Sequence, residues 1–392
     1  MILSNNFSTS IHELLECAND DTFFISDWNK ENDILNFDIN KINLLNKYHT
    51  QRNVYFFSDE FQSLKEKYAP LTLQGDKIKS VLPSHLSIVS NCTVAGYLSL
   101  YYINNQKKIM NALILAPTYF SHIKILQDIG ANIYYIDCYN NENIVDEVYE
   151  MINHNTIDIV IATEPMFGTG VSISEEIFCM INEVCNEHKI YFLIDYAYGG
   201  MKWEDYIGSQ ESFFIGLAKN KYTILIESVC KRIFLNGVKH GIIIANPQII
   251  QKIEEISVYV SGCLSEQQIL VYEQLYNVTT RKHITEIINI NNHHYSSNYA
   301  LIKTLLADTT FVISACNSGY FCLIGILKNS KTSNISIAKK ILMCTNILTI
   351  PHDRYIFSSD TYYYFRVNLA VSQDRILSAM QILSEAYANG VN

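Results

Sequence analysis

The segment Tyr191-Phe192-Leu193-Ile194-Asp195-Tyr196-Ala197-Tyr198 is a short, continuous apolar run that ends in a carboxylate and two phenols. Uninterrupted apolar runs are typical of strands that are buried on both faces, as in a parallel sheet. Similar runs recur along the chain and alternate with helical patterns such as 174–188. The predicted strands are 86–89, 112–115, 133–136, 157–162, 190–194, 223–227 and 241–245. This alternation predicts an α/β fold in which helices sandwich a mostly parallel, seven-stranded sheet.

The pattern changes after Asn246-Pro247, where a long helical stretch (about 247–275) begins and continues into another that ends near residue 306. Two more strand candidates, a helix, two further strands and a last helix follow, which is the pattern of a smaller α+β domain. The sequence therefore predicts three parts: an N-terminal segment (1–50) that joins the small domain, a large domain (51–270) and a small C-terminal domain (271–392).

Composition excludes several classes of protein. The chain has 392 residues, of which 48% are apolar and 17% charged, so a large buried core is expected. The net charge of -10, without a basic stripe, argues against a nucleic-acid partner. No apolar run approaches the roughly 20 residues of a membrane span. The ten cysteines form no CxxC pair and the N-terminus has no signal-peptide pattern, so we expect reduced thiols, no metal site and a cytoplasmic location.

Three residue types point to one cofactor. Asp195 follows a predicted buried strand, Tyr198 comes three residues later, and Lys231 follows the next predicted strand. A lysine amine can form a Schiff base, a buried carboxylate keeps a pyridine nitrogen protonated, and a phenol can donate to a phenolate oxygen. Asp-x-x-Tyr alone is common at strand ends of α/β proteins. Together with Lys231, however, the pair predicts a pyridoxal phosphate (PLP) site.

A second group of residues is predicted to bind the phosphate of that cofactor. Ser228 precedes Lys231 by three residues, and Lys239 follows it by eight. Asn91-Cys92-Thr93 lies where an apolar run turns into a helix, and a helix N-terminus offers free N–H groups and a positive dipole to an anion. Thr93 by itself also fits a simple helix cap.

These motifs resemble those of the fold-type-I PLP-dependent enzymes, in the class I and II aminotransferase family. The similarity covers roughly Tyr55 to the C-terminus. Asp195 and Lys231 are 36 residues apart, as in the aspartate aminotransferase branch, and Ser228-x-x-Lys231 is followed by Gly237-x-Lys239-x-Gly241. The resemblance implies a PLP-dependent transferase fold, with Asp195 at the pyridine nitrogen, Tyr198 at the phenolate oxygen and Lys231 at the aldehyde.

The resemblance implies further roles. Tyr119, in Ala116-Pro117-Thr118-Tyr119, matches an aromatic residue that stacks on the cofactor. Arg366, in Phe365-Arg366-Val367-Asn368, matches the arginine that binds the substrate α-carboxylate, and Trp28 lies in a segment that closes over the substrate. Tyr55 matches a tyrosine that reaches the phosphate of the neighbouring subunit. The family thus implies a homodimer with shared sites that acts on an amino acid and a 2-oxo acid.

The chain departs from the family pattern at three positions. In Glu164-Pro165-Met166-Phe167-Gly168, Phe167 stands where an asparagine donates to the cofactor's phenolate oxygen, and phenylalanine has no donor. We therefore predict a raised pKa for the Schiff base. Lys239 replaces an arginine, which keeps the charge but gives up bidentate geometry. His352 replaces the glycine that usually follows the proline at position 351.

Other functions are compatible with this sequence. The first prediction is an aminotransferase. A PLP-dependent lyase, cyclase or oxidase of an amino acid would use the same residues, because the fold does not select among these reactions. A non-catalytic regulatory module is disfavoured, since the first 50 residues are not basic and contain no clear recognition helix.

Overall fold

The structure is a computed structural model that describes residues 13–27, 58–68, 82–139, 141–204, 209–262, 264–328, 331–355 and 359–388. By its internal packing the chain divides into two compact units. Unit 1 comprises Met1–Leu35, Phe167–Ser172 and Asn291–Asn392, and unit 2 comprises Asn36–Met166 and Ile173–Ile290. The boundaries predicted from sequence, at 50/51 and 270/271, stay predictions.

Unit 2 is built on a seven-stranded sheet. Its strands are β2 (Leu86–Val89), β3 (Asn111–Ala116), β4 (Asn132–Asp137), β5 (Ile159–Thr163), β6 (Tyr191–Tyr196), β7 (Thr223–Glu227) and β8 (Gly241–Ala245). Their order across the sheet is β2-β8-β7-β6-β5-β3-β4. Strand β8 runs antiparallel to β2 and β7, and the remaining pairs are parallel. The predicted fold class, a mostly parallel seven-stranded sheet, is confirmed.

Helices surround this sheet. In unit 2 they are α1 (Ser58–Tyr68), α2 (Cys92–Gln106), α3 (Phe120–Asp128), α4 (Ile144–His154), α5 (Glu175–Glu187), α6 (Ser209–Leu217), α7 (Val229–Arg232), α8 (Pro247–Val260) and α9 (Glu266–Leu275). Every residue of β5, β7 and β8 is buried, which explains why these strands appear in the sequence as uninterrupted apolar runs. Leu98, Ile161 and Ile226 lie in one core cluster that joins α2 to the sheet.

The long helical stretch predicted after Pro247 is interrupted. Helix α8 ends at Val260, and Gly262 adopts φ 65° while its N–H donates to the Ser257 carbonyl. A left-handed glycine is a common helix terminator because it has no Cβ to clash. Ser265 then caps α9 through a reciprocal capping box with Gln268.

Helix α10 (Val278–Leu305) runs from unit 2 into unit 1 along the chain, and unit 1 continues with β9 (Val312–Ile313), β10 (Phe321–Leu327), α11 (Asn334–Thr345), β11 (Ile347–Leu348), β12 (Tyr362–Asn368) and α12 (Gln373–Ala388). Three of these strands form an antiparallel sheet with the order β12-β10-β9. The short β1 (Phe23–Phe24) pairs in parallel with β11. This pairing joins the described part of the N-terminal segment to unit 1.

Two further observations bear on the predictions made from composition. Among the described residues, no helix combines the length and the apolar character that crossing a bilayer requires. Each of the nine cysteines in the described part of the chain is unpaired. The second observation agrees with the predicted reduced thiols.

Candidate active site

Asp195 lies at the carboxyl end of β6 and is buried. One carboxylate oxygen accepts a hydrogen bond from the Ala197 backbone N–H at 3.1 Å, and the other lies 2.8 Å from Nε2 of His122. In the parallel register of β5, β6 and β7, Asp195 is opposite Thr163 on one side and Ile226 on the other. The carboxylate therefore has a fixed position at the edge where parallel strands end.

His122 was not predicted from the sequence. It belongs to α3, three residues after Tyr119, and the two rings meet edge to face at 5.7 Å. Its imidazole is 1% exposed and packs against Gly96 of α2, where a Cβ would lie 2.6 Å from Cε1. The available signal was the helical spacing, since residues three apart share one face of a helix.

Lys231 lies on the short helix α7, which begins directly after β7 and Ser228. Its ammonium nitrogen is 5.4 Å from the centre of the Tyr198 ring, within the range of a cation–π contact. The charges of Asp195 and Lys231 both affect the pKa of the neighbouring Cys92 thiol. Burial raises the pKa of Cys92, the negative charge of Asp195 raises it further, and Lys231 lowers it. Asp195, Lys231 and Cys92 therefore share one electrostatic environment.

The predicted phosphate-binding segment is the N-terminus of α2. Asn91 caps this helix, with its side-chain oxygen accepting from the Val94 N–H at 3.0 Å. Thr93 is exposed, and its hydroxyl is 3.3 Å from that of Tyr119. The thiol of Cys92 donates to the His240 carbonyl at 3.5 Å. The structure thus brings the helix N-terminus next to the stacking candidate and to the end of the Ser228–Gly241 segment.

Gly241 has a clear steric role at this point. A Cβ on Gly241 would lie 2.5 Å from the carbonyl carbon of Asn91 and 2.8 Å from the backbone nitrogen of Cys92. Only glycine lets β8 begin this close to the start of α2. Lys239, two residues earlier, is exposed and has a left-handed φ of 57°.

A buried ion pair brackets the Ser228–Lys231 segment. Glu227 precedes the segment and Arg232 follows it, and their side chains meet at 2.7 Å with 2% and 1% exposure. Tyr68 of α1 donates a hydrogen bond to the second carboxylate oxygen of Glu227. The guanidinium of Arg232 also lies over the Tyr196 ring. Both ends of the lysine-bearing turn are therefore fixed by charged hydrogen bonds.

Arg366 lies within unit 1, on β12, and is 1% exposed. Its Nε and Nη2 donate to the Ser26 carbonyl at 3.0 and 2.9 Å, and the Ser26 hydroxyl donates back to the Arg366 carbonyl at 2.7 Å. The guanidinium stacks 4.6 Å from the centre of the Phe321 ring. A buried arginine whose plane is fixed in this way is preorganised for a carboxylate.

Phe167 and His352 also belong to unit 1, and both are buried. Gly168 follows Phe167 with φ 73°, and a Cβ there would lie 2.8 Å from His352 and 3.6 Å from the Arg366 side chain. His352 and the side chain of Arg366 therefore both lie next to Gly168. Two predicted site residues, Trp28 and Tyr55, lie outside the described residues.

The residues of unit 2 fit the chemistry of PLP. A lysine amine, a buried carboxylate bound to histidine, a phenol, a serine hydroxyl and a helix N-terminus match the cofactor's aldehyde, ring nitrogen, phenolate and phosphate. Within the described residues, no group of three or more His, Cys, Asp or Glu side chains could hold a metal ion.

Comparisons with known proteins identify the family. The model of the family "Aminotransferase class I and II" matches residues 31–383, so the chain belongs to this family, and the resemblance inferred from the motifs is confirmed. The family implies PLP as the cofactor.

The curated relatives are distant. An aspartate aminotransferase of Pyrococcus horikoshii is 23% identical over 242 residues, which cover 62% of this chain and 59% of that protein. An LL-diaminopimelate aminotransferase of Natranaerobius thermophilus is 21% identical over 231 residues, covering 59% and 57%. The chain thus matches less than two thirds of the length of either relative.

Solved structures share the fold at still lower identity. An aromatic aminotransferase from Pyrococcus horikoshii superimposes with a TM-score of 0.77 at 15% identity, over 97% of this chain and 100% of that one. YbdL from Escherichia coli, for which a methionine aminotransferase function was identified, gives 0.78 at 14% identity, over 98% and 100%. These similarities show the fold. The named activities of the two proteins differ, so they do not indicate a substrate for this chain.

Proposed function

We propose that the protein is a PLP-dependent aminotransferase that transfers the amino group of an α-amino acid to a 2-oxo acid. The observation that carries the proposal is the convergence at one edge of the unit 2 sheet: Asp195 bound to His122 at 2.8 Å, and Lys231 next to the ring of Tyr198 at 5.4 Å. Family membership supports the same activity.

Each residue has a role in this proposal. Lys231 would hold the cofactor through its side-chain amine and would then carry a proton to and from the α-carbon of the substrate. Asp195, oriented by His122, would keep the pyridine nitrogen protonated. When bound, PLP would supply an electron sink for the negative charge that develops at the α-carbon. Tyr198 would donate to the phenolate oxygen, and Tyr119 would stack on the ring.

The phosphate is assigned to Ser228, Lys239 and the N-terminus of α2 at Asn91-Cys92-Thr93. The α2 terminus provides backbone N–H groups and a positive dipole, Ser228 a hydroxyl and Lys239 a charge. The close approach of Gly241 to Asn91 supports this assignment, because it fixes the segment that carries Lys239, just before β8, against the helix that carries Thr93.

The first experiment is an absorbance scan of the purified protein with added PLP. We expect a Schiff-base band that disappears in Lys231→Ala. Lys252→Ala is the matched control, because Lys252 is an exposed lysine of the same unit that pairs with the exposed Glu255. A band of equal intensity in Lys231→Ala without added amine would refute the proposal. Transamination is then measured with a panel of amino acids as stoichiometric consumption of a 2-oxo acid.

Arg366 is proposed to bind the substrate α-carboxylate, with Trp28 closing over the substrate. The guanidinium has five N–H donors in total, and its plane is fixed by Ser26 and Phe321. Arg366→Lys should raise KM for the amino acid by roughly 10- to 100-fold, the worth of a charged hydrogen bond. The exposed Arg375→Lys is the control, and an unchanged KM in Arg366→Lys would assign the carboxylate elsewhere.

A second reaction type is favoured by one observation. The buried Phe167 occupies a position where the family pattern has a hydrogen-bond donor, so the electronic properties of the cofactor are expected to differ from those in an ordinary aminotransferase. A lyase, cyclase or oxidase reaction on the same amino acid would use the same lysine. Release of ammonia or peroxide without consumption of a 2-oxo acid would identify this alternative.

We further propose a cytoplasmic homodimer with shared sites. The unpaired cysteines support a reducing compartment, and Tyr55 supports shared sites through its match to the family pattern. Mixing inactive Lys231→Ala with a weakly active Tyr55→Phe variant tests the sharing. A heterodimer would contain one site with both natural residues, so activity should rise on mixing, whereas independent sites would give no gain.

A further inference from the structure

His240 of unit 2 is buried between two hydroxyl groups. Its Nδ1 lies 3.4 Å from Oγ of Ser228, and its Nε2 lies 2.7 Å from Oη of Tyr276. All three side chains are less than 5% exposed. The first distance is long for a hydrogen bond and the second is short. His240 therefore links a buried phenol to a residue that the proposed function assigns to the cofactor phosphate.

The protonation states of His240 and Tyr276 give this series of hydrogen bonds a direction. Burial, followed by the positive charge of Arg232, lowers the pKa of His240 to about 3. Burial raises the pKa of Tyr276 well above its usual value. At neutral pH a neutral imidazole therefore meets a protonated phenol. When Tyr276 donates to Nε2, the single imidazole proton is on Nδ1, where it points to Ser228.

The Ser228 hydroxyl lies next to the N-terminus of α2. Burial raises the pKa of the Cys92 thiol, and a hydrogen bond with Ser228 opposes that effect. Cys92 is the first residue of α2, so Ser228 is placed beside the helix N-terminus that the proposed function assigns to the phosphate.

Tyr272 fixes the backbone next to His240 and packs against the imidazole. Tyr272 donates to the carbonyl of Lys239 at 2.6 Å, and its ring meets His240 edge to face at 4.7 Å. Lys239 has a left-handed φ, a conformation that needs support from its surroundings. Tyr272 therefore fixes the imidazole relative to Ser228 by packing and by a hydrogen bond.

We propose that Tyr276 and His240 are positioning residues for phosphate binding, forming a relay in which Tyr276 donates to His240, His240 donates to Ser228, and Ser228 donates to the cofactor phosphate. The proposal rests on the proposed function, in which Ser228 binds that phosphate. Chains of hydrogen bonds polarise one another, so the last hydroxyl becomes a better donor to an anion. Because the Nδ1 to Oγ distance is long, the effect on affinity is expected to be moderate.

The test compares the affinity of the apoprotein for PLP with its affinity for pyridoxal, which lacks the phosphate. The dissociation constant for pyridoxal divided by that for PLP measures how much the phosphate contributes to binding. Tyr276→Phe should reduce this ratio by about two- to fivefold, as for a weak hydrogen bond, and leave pyridoxal binding unchanged. Ser228→Ala should reduce it further, and Tyr276→Phe should have no added effect in the Ser228→Ala background.

If His240 had a purely structural role, the effects of Tyr276→Phe and Ser228→Ala on PLP affinity would add, or each variant would lose equal affinity for PLP and pyridoxal. Either result would overturn the relay. His240→Asn provides a second check, because the amide can donate from a position near Nδ1 and should retain the ratio that His240→Leu loses. The ³¹P resonance of bound PLP should shift in Tyr276→Phe and His240→Leu. Thermal unfolding of each apoprotein identifies any variant that fails to fold, and the remaining variants then decide.

Failure of the relay and failure of the proposed function give different results. If wild-type protein shows the Lys231-dependent band but Ser228→Ala leaves the ratio unchanged, the relay is wrong and the proposed function stands. If wild-type protein forms no such band, both are wrong.

Discussion

Nε2 of His122 lies 2.8 Å from Oδ2 of Asp195, and both side chains are buried. The pair links α3, which begins directly after Tyr119, to the end of β6. A buried carboxylate is stabilised by hydrogen bonds, and Asp195 has one contact with an imidazole and accepts one hydrogen bond from the Ala197 N–H. The orientation of the carboxylate at the proposed pyridine-binding position therefore depends on a residue from another element.

Removing that imidazole should impair turnover. His122→Gln lengthens or loses the bond to Asp195, which weakens the carboxylate's hold on the pyridine proton. We expect kcat to fall by roughly 10- to 100-fold, the worth of a hydrogen bond to a charged group. His154→Gln, at the exposed end of α4, is the matched control. Turnover equal to that of wild type would show that His122 only packs against Gly96.

Breaking the ion pair around the lysine-bearing turn should destabilise the protein. Arg232→Met leaves the buried charge of Glu227 with Tyr68, at an expected cost of about 3–5 kcal/mol in the free energy of unfolding. Urea unfolding of the apoprotein measures this. The double variant Glu227→Gln/Arg232→Met should be more stable than Arg232→Met, whereas Lys252→Met, which breaks an exposed pair, should cost less than about 1 kcal/mol.

Gly241 should not tolerate a methyl group. In Gly241→Ala the added Cβ must displace the backbone at Asn91 and Cys92, so both the unfolding free energy and PLP affinity should fall. Gly216→Ala is the matched control, because it lies on the exposed face of α6 with open space around it. That substitution should stabilise by roughly 0.5–1 kcal/mol. Wild-type PLP affinity in Gly241→Ala would contradict the steric argument.

Phe167 should leave a spectroscopic signature. Without the donor expected from the family pattern, the Schiff base of Lys231 loses one group that stabilises its deprotonated form. Its pKa should therefore be raised, so that the protonated band persists to higher pH than in Phe167→Asn. A spectral pH titration of both proteins measures the difference. An unusually low pKa in the wild-type protein would refute the prediction.

His240 should make stability depend on pH in a defined range. Its pKa falls from an ordinary value of 6.5 to about 3 in the folded protein, so between these values only the unfolded state binds the proton. The unfolding free energy should therefore decrease as pH falls through this range, by up to about 1.4 kcal/mol per pH unit from this group. His240→Asn should remove that part of the slope. Parallel pH profiles of the two proteins would contradict the assignment.

Local sequence determined much of what the structure shows. Seven apolar runs predicted the seven strands of the sheet, because a strand buried on both faces needs apolar side chains at every position. The order Asp195, Tyr198, Ser228, Lys231 predicted which strand ends bear polar groups. The same reasoning missed the break after Val260, since a single left-handed Gly262 ended a helix whose apolar pattern continued.

Only the tertiary structure decided how these groups meet. The antiparallel direction of β8 and the sheet order arise from pairings between residues far apart in the chain, which no local pattern records. The contacts of His122 with Asp195, and of His240 with Ser228 and Tyr276, likewise cross between elements. The sequence by itself therefore determined the chemical groups and the strands that carry them. Folding decided which histidines orient those groups, because a hydrogen bond depends on distance and direction in space.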